Sequence, residues 1–340
     1  MVADHAFYMQ LALNEAWKYQ ALTFPNPPVG ALILDRHGKI LSVAAHHEAG
    51  SAHAELNACI EAVQAAGDTK ITQLQTPQQK HLYLTKHYRN HFKGATIYVT
   101  LEPCMHYGKT PPCSLLLHEL GFSTIVIGTT DPNSEATGAV TFLKQQGAEV
   151  IANVCKDACD ALIYPFMKWQ KNENFIFFKL AKFQNGTISG KHVSSEESRR
   201  DVHRIRTKID LLVIGGDTVK ADRPTLDARL INSPKAPDIL IYTSDKKIDR
   251  SIPLFQVPDR KVYIEKSFER LNNYRHIMIE GGEGMLHHCQ KIVDYYLFFT
   301  SDRFRRGKKI DLDANLKSLH CFKNSSDTIA WFKNLMKDTM

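Results

Sequence analysis

The sequence predicts an α/β protein built as two consecutive domains. Two observations carry that expectation. Short apolar runs of strand type alternate with helical stretches along the chain, and 340 residues are too many for one average domain yet enough for two, each with its own core. A third observation places the boundary: the polar KNEN at 171–174 precedes a fresh series of buried-strand runs, so the expected domains are 1–171 and 172–340.

In order, GALIL (30–34) reads as a buried strand and 52–66 as a helix, followed by the strand TIYVTL (96–101). Between them, Asp68 to Phe92 is polar and lacks glycine, which reads as an insertion. A helix after Cys113, the strand STIVIG, a helix around Phe142 and the strand AEVIANV continue the alternation, and Cys155 to Lys171 is helical and amphipathic. The second series runs FIFFKLA, DLLVIGG, DILIYT, KVYI, HIMIEGG and YYLFFT, strands divided by helical or turn segments. The apolar stretches at 113–121 and 158–167 are expected to pair between subunits of a homo-oligomer.

Ordinary apolar and charged fractions, 43% and 23%, set aside disordered and fibrous classes. No apolar run is long enough to span a bilayer and the first residues lack a signal pattern, so a cytoplasmic protein with no membrane role is expected. Seven cysteines, an odd number at irregular spacing, argue for reduced thiols that are buried or hold metal. The net charge of +7 has no dense basic block behind it except RFRRGKK at 303–309, which suits anionic small substrates better than nucleic acid.

The first constellation is HAE at 53–55, which opens a helix. Alone it is unspecific, since His46 and Glu48 repeat the spacing. Its weight comes from Cys104, just after a strand, and Cys113, at the start of SLLLHELG. One imidazole and two thiolates supply three ligands to a tetrahedral Zn²⁺ and leave the fourth position for water, as a catalytic zinc requires. Glu55 is then placed to carry a proton between that water and a leaving amine. The bland alternative is two packed thiols beside a surface histidine. Cys155 and Cys159, His87 and His91, and His287 and His288 are read as packing or solvated groups.

PNPPVGALI (25–33), AHHEAG (45–50), AHAE (52–55) and TLEPCMHYGKTPPC (100–113) together resemble the bifunctional pyrimidine deaminase/reductase family of riboflavin biosynthesis, whose long cysteine spacing they share. The resemblance implies a cytidine-deaminase-like three-layer α/β/α domain first and a dihydrofolate-reductase-like α/β domain second. It implies Zn²⁺ and NADPH as cofactors, and a phosphorylated pyrimidine, 2,5-diamino-6-ribosylamino-4(3H)-pyrimidinone 5′-phosphate, as substrate. By the same resemblance His106, Lys109 and Thr110 hold the phosphate and ring, and Asn26 and His46 make further substrate contacts.

In the second half IEGGEGML (279–286) and GGDTVKADRPTLDARL (215–230) carry the likeness; a strand leading into glycines and a helix suits phosphate binding. The resemblance assigns Lys179 and Asp222 to the reductase active site, and Thr218, Asp222, Gly281 and Gly282 to the cofactor. It gives Ser195, Arg206, Arg229 and Glu280 to the substrate. FQNGTISGKHVSS is shorter than the family's loop and has Asn185 for an aspartate, and Arg229 to Glu280 is also short, so a trimmed reductase half is expected.

Overall fold

The computed structural model describes residues 3–107, 111–132, 138–190, 192–311 and 313–337. The chain divides into two compact units, Met1–Gln170 and Lys171–Met340.

The first unit runs α1 (His5–Trp17), β1 (Gly30–Leu34), β2 (Ile40–Ala45), α2 (Ala54–Ala65), α3 (Pro77–His87), β3 (Thr96–Leu101), α4 (Cys113–Leu120), β4 (Thr124–Thr129), α5 (Ala139–Gln145), β5 (Glu149–Ile151) and α6 (Lys156–Gln170). Its sheet has the order β2-β1-β3-β4-β5. β1 is antiparallel to both neighbours, whereas β3, β4 and β5 are parallel. Helices α1 and α6 cover one face, and α2, α4 and α5 the other, with α3 packed on α2 and α4, which makes three layers. All five residues of β1 are buried because helices close both faces of the strand. Gly30 permits the closest approach: a Cβ there would lie 2.0 Å from the Ala12 carbonyl oxygen of α1.

The polar 68–92 segment contains an ordered helix. Thr76 and Gln79 form a capping box at its start, Pro77 occupies its first turn, and the Tyr88 hydroxyl donates to Asp68 Oδ2 at 2.6 Å. Helix α1 and strand β2 were absent from the sequence reading, although Met9, Leu13, Ala16 and Trp17 bury one helical face of α1. AEVIANV yields only a three-residue strand, because Asn153 turns to a positive φ of 64° and ends it. The apolar faces of α4 and α6 are buried within this unit, Leu116, Leu117, Leu120 and Leu162 completely, which removes the sequence argument for pairing between subunits through them.

The second unit runs β6 (Phe175–Phe183), α7 (Glu196–Arg206), β7 (Leu211–Gly215), α8 (Gly216–Asp222), β8 (Asp238–Tyr242), β9 (Val262–Glu265), β10 (His276–Glu280), α9 (Glu283–Cys289), β11 (Tyr295–Ser301), β12 (Leu316–Asn324) and β13 (Asp327–Asn334). The sheet order is β12-β13-β11-β6-β10-β7-β8-β9. Six neighbouring strands are parallel, and the β12–β13 hairpin adds to β11 antiparallel. That hairpin is the element the sequence reading omitted; β12 is an edge strand with alternating exposure, so it lacks the continuous apolar run of its neighbours. Among the described residues no helix is long and apolar enough to cross a membrane.

Candidate active site

In the first unit, two helix starts and the end of a strand meet. His53 is the residue before α2, Cys113 is the first residue of α4, and Cys104 follows β3 by three positions. Their ligand atoms all lie within 4.8 Å of one another. His53 Nδ1 is 3.4 Å from Cys113 Sγ and 3.8 Å from Cys104 Sγ. Tetrahedral zinc, with bonds of about 2.0 Å to nitrogen and 2.3 Å to sulfur, asks for about 3.6 Å between such atoms. The donor set and its spacing therefore fit zinc with one position left open, which disposes of the two packed thiols and surface histidine as a chance trio.

Local backbone holds the ligands in place. The Cys113 N–H donates to Cys104 Sγ at 3.4 Å, and the Ser114 N–H and hydroxyl both donate to the Cys104 carbonyl at 3.3 and 3.0 Å. The start of α4 thus grips the loop that carries the other thiol, and its dipole favours thiolate there. A hydrogen bond from the Cys113 thiol, together with the His53 charge, holds Cys104 down to about 4 although burial opposes it; Cys113 is raised well above its usual value, by Cys104 and by burial. Burial works against a charged His53, yet Cys104 and Glu55 keep it above its ordinary value. Burial pushes Glu55 up to about 7, with His53 opposing and Cys104 adding to the rise.

A cavity of about 590 Å³ opens over this group and is lined by His53, Glu55 and Cys104, by Asn26, His46 and His106, and by others. His46 Nδ1 faces the Ala52 carbonyl at 3.0 Å, which leaves Nε2 to accept from the Asn26 amide at 3.3 Å. Burial lowers His46 to about 4, so it is a neutral, oriented ring. Asn57 Nδ2 donates to the carbonyls of Ala45 and Ala52 and ties both ends of that loop to α2. Lys109 and Thr110 lie outside the described residues.

The sequence reading missed several residues on the cavity wall, among them Glu102, Asp131, Phe166 and Gln170. Glu102 is buried, and its Oε1 accepts from the backbone of Gly138 and Val140 at the start of α5. A carboxylate one residue before Pro103, in a strand end leading to a ligand, was the available signal for it. Phe166 and Gln170, on α6, had none.

In the second unit Lys179 and Glu280 are register partners on the adjacent parallel strands β6 and β10. Arg206, at the end of α7, donates from Nη2 to both Glu280 oxygens at 3.3 and 3.2 Å, with each side chain only 12% exposed. Burial lowers Lys179, partly offset by Glu280 and reinforced by Arg206. Glu280 stays below its ordinary value despite burial, because Arg206 and Lys179 stabilise its charge. A glycine pair stands at the carboxyl end of each of the neighbouring strands β7 and β10, Gly215–Gly216 and Gly281–Gly282; Gly216 and Gly281 are packed, whereas at Gly215 and Gly282 a Cβ would meet nothing closer than 3.7 Å, at the edge of the parallel sheet where dinucleotides bind in open α/β sheets. That edge fits NADPH in kind.

The other assigned residues are placed differently from one another. Ser195 caps α7: its Oγ accepts from the Ser198 N–H at 3.2 Å, and its own N–H donates to Asp327 Oδ2 at 2.7 Å. Thr218 lies within α8, and Asp222 is its exposed last residue. Arg229 is exposed and paired with Asp227 at 2.8 Å. Gly281 is required by packing, since a Cβ there would come 2.6 Å from Met285 Cβ. Arg260, unnoticed in the sequence, donates to the Thr225 and Leu226 carbonyls while Arg206 holds that of Asp227, so two arginines grip three consecutive carbonyls of a loop in which Leu226 has a φ of 57°.

Residues 2–129 match the cytidine and deoxycytidylate deaminase zinc-binding region, and 181–301 match the RibD C-terminal domain. Riboflavin biosynthesis protein RibD of Aquifex aeolicus is 33% identical over 251 residues, 72% of this chain and 63% of that protein. Its Synechocystis counterpart is 30% identical over 285 residues, 82% of this chain and 70% of that protein. Against the Aquifex protein the chain spans less than two thirds of the relative's length. A diaminohydroxyphosphoribosylaminopyrimidine deaminase/5-amino-6-(5-phosphoribosylamino)uracil reductase from Thermotoga maritima superposes with a TM-score of 0.63 at 25% identity, covering 97% of this chain and 98% of its own. The three-layer deaminase-like unit and the reductase-like unit are both the folds expected.

Proposed function

The chain belongs to the riboflavin biosynthesis protein RibD family, and from that premise we propose that it is a cytoplasmic bifunctional enzyme. It deaminates 2,5-diamino-6-ribosylamino-4(3H)-pyrimidinone 5′-phosphate and then reduces the ribosyl group to ribityl. The observation that carries the reading is the His53, Cys104 and Cys113 group with Glu55 in one cavity.

Zinc held by His53, Cys104 and Cys113 would activate a water toward the amino-bearing ring carbon. Glu55 takes the proton from the attacking water and returns it to the departing amino group, so a C–O bond forms, the C–N bond breaks, and ammonia leaves. A carboxyl that titrates near 7 suits both halves of that transfer. Neutral His46 and Asn26 orient the ring or ribose, and His106 stands at the exposed edge where a phosphate would sit.

For the reduction, NADPH would supply the hydride. Lys179 is the chain's own proton carrier: buried beside Glu280, it holds a proton that its surroundings make easy to release. Thr218, Asp222, Gly281 and Gly282 form the cofactor side and Ser195, Arg206, Arg229 and Glu280 the substrate side of this reading. A second reading keeps only the deaminase. It is favoured by the prior engagement of three of the substrate groups, Ser195 in a helix cap, Arg206 by Glu280 and Arg229 by Asp227.

The test is a mass spectrum of the product after the zinc-loaded protein meets the diaminopyrimidine ribosylamino phosphate and NADPH. Deamination plus two hydrogens supports both halves, and deamination alone supports the second reading. Glu55→Gln should retain zinc and lower ammonia release about 10²- to 10⁴-fold; undiminished release would refute the role of Glu55.

A further inference from the structure

The basic run at 303–309 has no part in the chemistry described so far. It follows β11 as a loop and lies against the turn that follows β6, and hydrogen bonds stitch the two together along their length. The Gln184 N–H donates to the Arg303 carbonyl at 2.9 Å, the Ile188 N–H to the Lys308 carbonyl at 2.9 Å, and the Ile310 N–H to the Gly186 carbonyl at 3.0 Å. The Lys308 N–H donates to Ser189 Oγ at 2.9 Å, and Arg303 Nη2 to the His192 carbonyl at 2.8 Å. Gly307 lets the two segments close: its φ is 153°, and a Cβ there would lie 2.3 Å from Ser189 Oγ.

At the centre of the seam two side chains meet one carbonyl. The Arg305 oxygen accepts from Asn185 Nδ2 at 2.7 Å and from the Thr187 hydroxyl at 2.8 Å, which occupies both of its lone pairs. Asn185 Oδ1 accepts in return from the Arg305 N–H at 3.4 Å. Thr187 is completely buried. A charged aspartate at 185 would accept from that N–H but could not donate to the carbonyl, so the asparagine found in place of the expected aspartate is matched to this contact.

The stitched pair meets the glycine turn after β10 at two points. Ile188 Cδ1 is 3.7 Å from where a Gly282 Cβ would stand, and Lys308 Nζ pairs with Glu283 Oε2 at 3.0 Å. Gly282 caps α9 and Glu283 is its first residue, at the sheet edge assigned to the cofactor. Arg306 and Lys309 are exposed on the same loop, a charge that suits a polyanionic nucleotide. A free turn would have to be ordered on binding, which weakens apparent affinity by the fraction of molecules in which it is ordered beforehand.

We propose that Asn185 and Thr187 are positioning residues for NADPH: by donating together to the Arg305 carbonyl they hold the 184–190 turn in place beside Gly282, so that the nucleotide docks on a surface already ordered. The basic run is then the strut behind that turn. The inference rests on the NADPH reading above.

The experiment uses the full chain and reads two quantities: the Kd for NADPH by calorimetric titration, and hydrogen exchange of the 186–190 amides in the ligand-free protein. Thr187→Val, which keeps the shape and removes the hydroxyl, should raise the Kd about tenfold and speed exchange at Ile188, and saturating NADPH should slow that exchange again. Asn185→Ala, at a half-buried position, should act in the same direction, while Thr187→Ser, which keeps the donor, should recover both readings. Asn334→Ala removes donors to the Gln290 and Val293 carbonyls elsewhere in the unit, and should lower the melting temperature with Kd and exchange at Ile188 unchanged. A wild-type Kd in both Thr187→Val and Asn185→Ala overturns the inference. So does weaker binding with exchange at 186–190 still slow, or an equal rise in Kd in Asn334→Ala. If wild type itself binds no NADPH, the cofactor reading fails and the inference fails with it.

Discussion

Replacing Glu280 by glutamine tests the electrostatic centre of the second unit. The carboxylate accepts two hydrogen bonds from Arg206 and stands beside Lys179 in register on the next strand. The substitution keeps the shape and one acceptor but removes the negative charge that Lys179 and Arg206 share. Breaking a buried pair costs about 3–5 kcal/mol. Since Arg206 retains the Asp227 carbonyl, the lower end applies, about 3 kcal/mol. With a urea slope near 2 kcal/mol/M, the transition that reports this unit should move down by about 1.5 M. Urea unfolding of the full chain, followed by tryptophan fluorescence and far-UV circular dichroism, provides the assay. Adding Lys179→Met should restore a large part of the loss, because one of the two uncompensated cations is then gone. An unchanged midpoint in Glu280→Gln, or a double variant no more stable than the single, would refute the argument.

Three further outcomes follow from other sites. His203 accepts the Leu230 N–H on its Nδ1, and burial, with Arg206 nearby, lowers it from 6.5 to about 4. The unfolded chain therefore binds the extra proton first. Stability from this group is full above pH 6.5 and is lost as pH falls toward 4, by about 2 kcal/mol after allowance for solvent screening; His203→Gln should flatten the pH dependence of urea midpoints in that window, and an unaltered slope would count against it. Gly30→Ala places a Cβ 2.0 Å from the Ala12 oxygen, so thermal melting should show a loss of about 3 kcal/mol in the first unit, and a variant as stable as wild type would show that α1 yields freely. Asn26→Ala removes the donor to His46 Nε2, one of the two contacts that orient the ring, and its own contact with the substrate; kcat/KM for deamination should fall about tenfold, mainly through KM, and an unchanged KM would remove Asn26 from the substrate contacts.

Most of the strands were legible in the sequence for a physical reason. A strand buried on both faces, such as GALIL or DLLVIGG, is a continuous apolar run that no surface segment imitates. The edge strand β12 and the partly exposed β2 escaped because only one side of each faces the core. The polar 68–92 segment concealed α3, whose stability comes from a capping box and two buried side chains rather than from a hydrophobic stripe. In the site, ligand-type residues announced themselves by chemistry and spacing, whereas Phe166, Gln170 and Arg260 are ordinary residue types whose roles arise from where the chain returns.

The sequence by itself determined the class of fold, the two-part organisation and the identity of the three zinc-type donors, because residue chemistry and apolar periodicity are local properties. Tertiary structure alone decided that His53 and two thiols meet at 3.4 and 3.8 Å, and that Glu280 finds Arg206. It also decided that the Ser195 N–H reaches Asp327 Oδ2. Such facts depend on packing between elements distant in sequence. Burial then sets the charge state of each group, as the rise of Glu55 to about 7 and the fall of His46 to about 4 make plain.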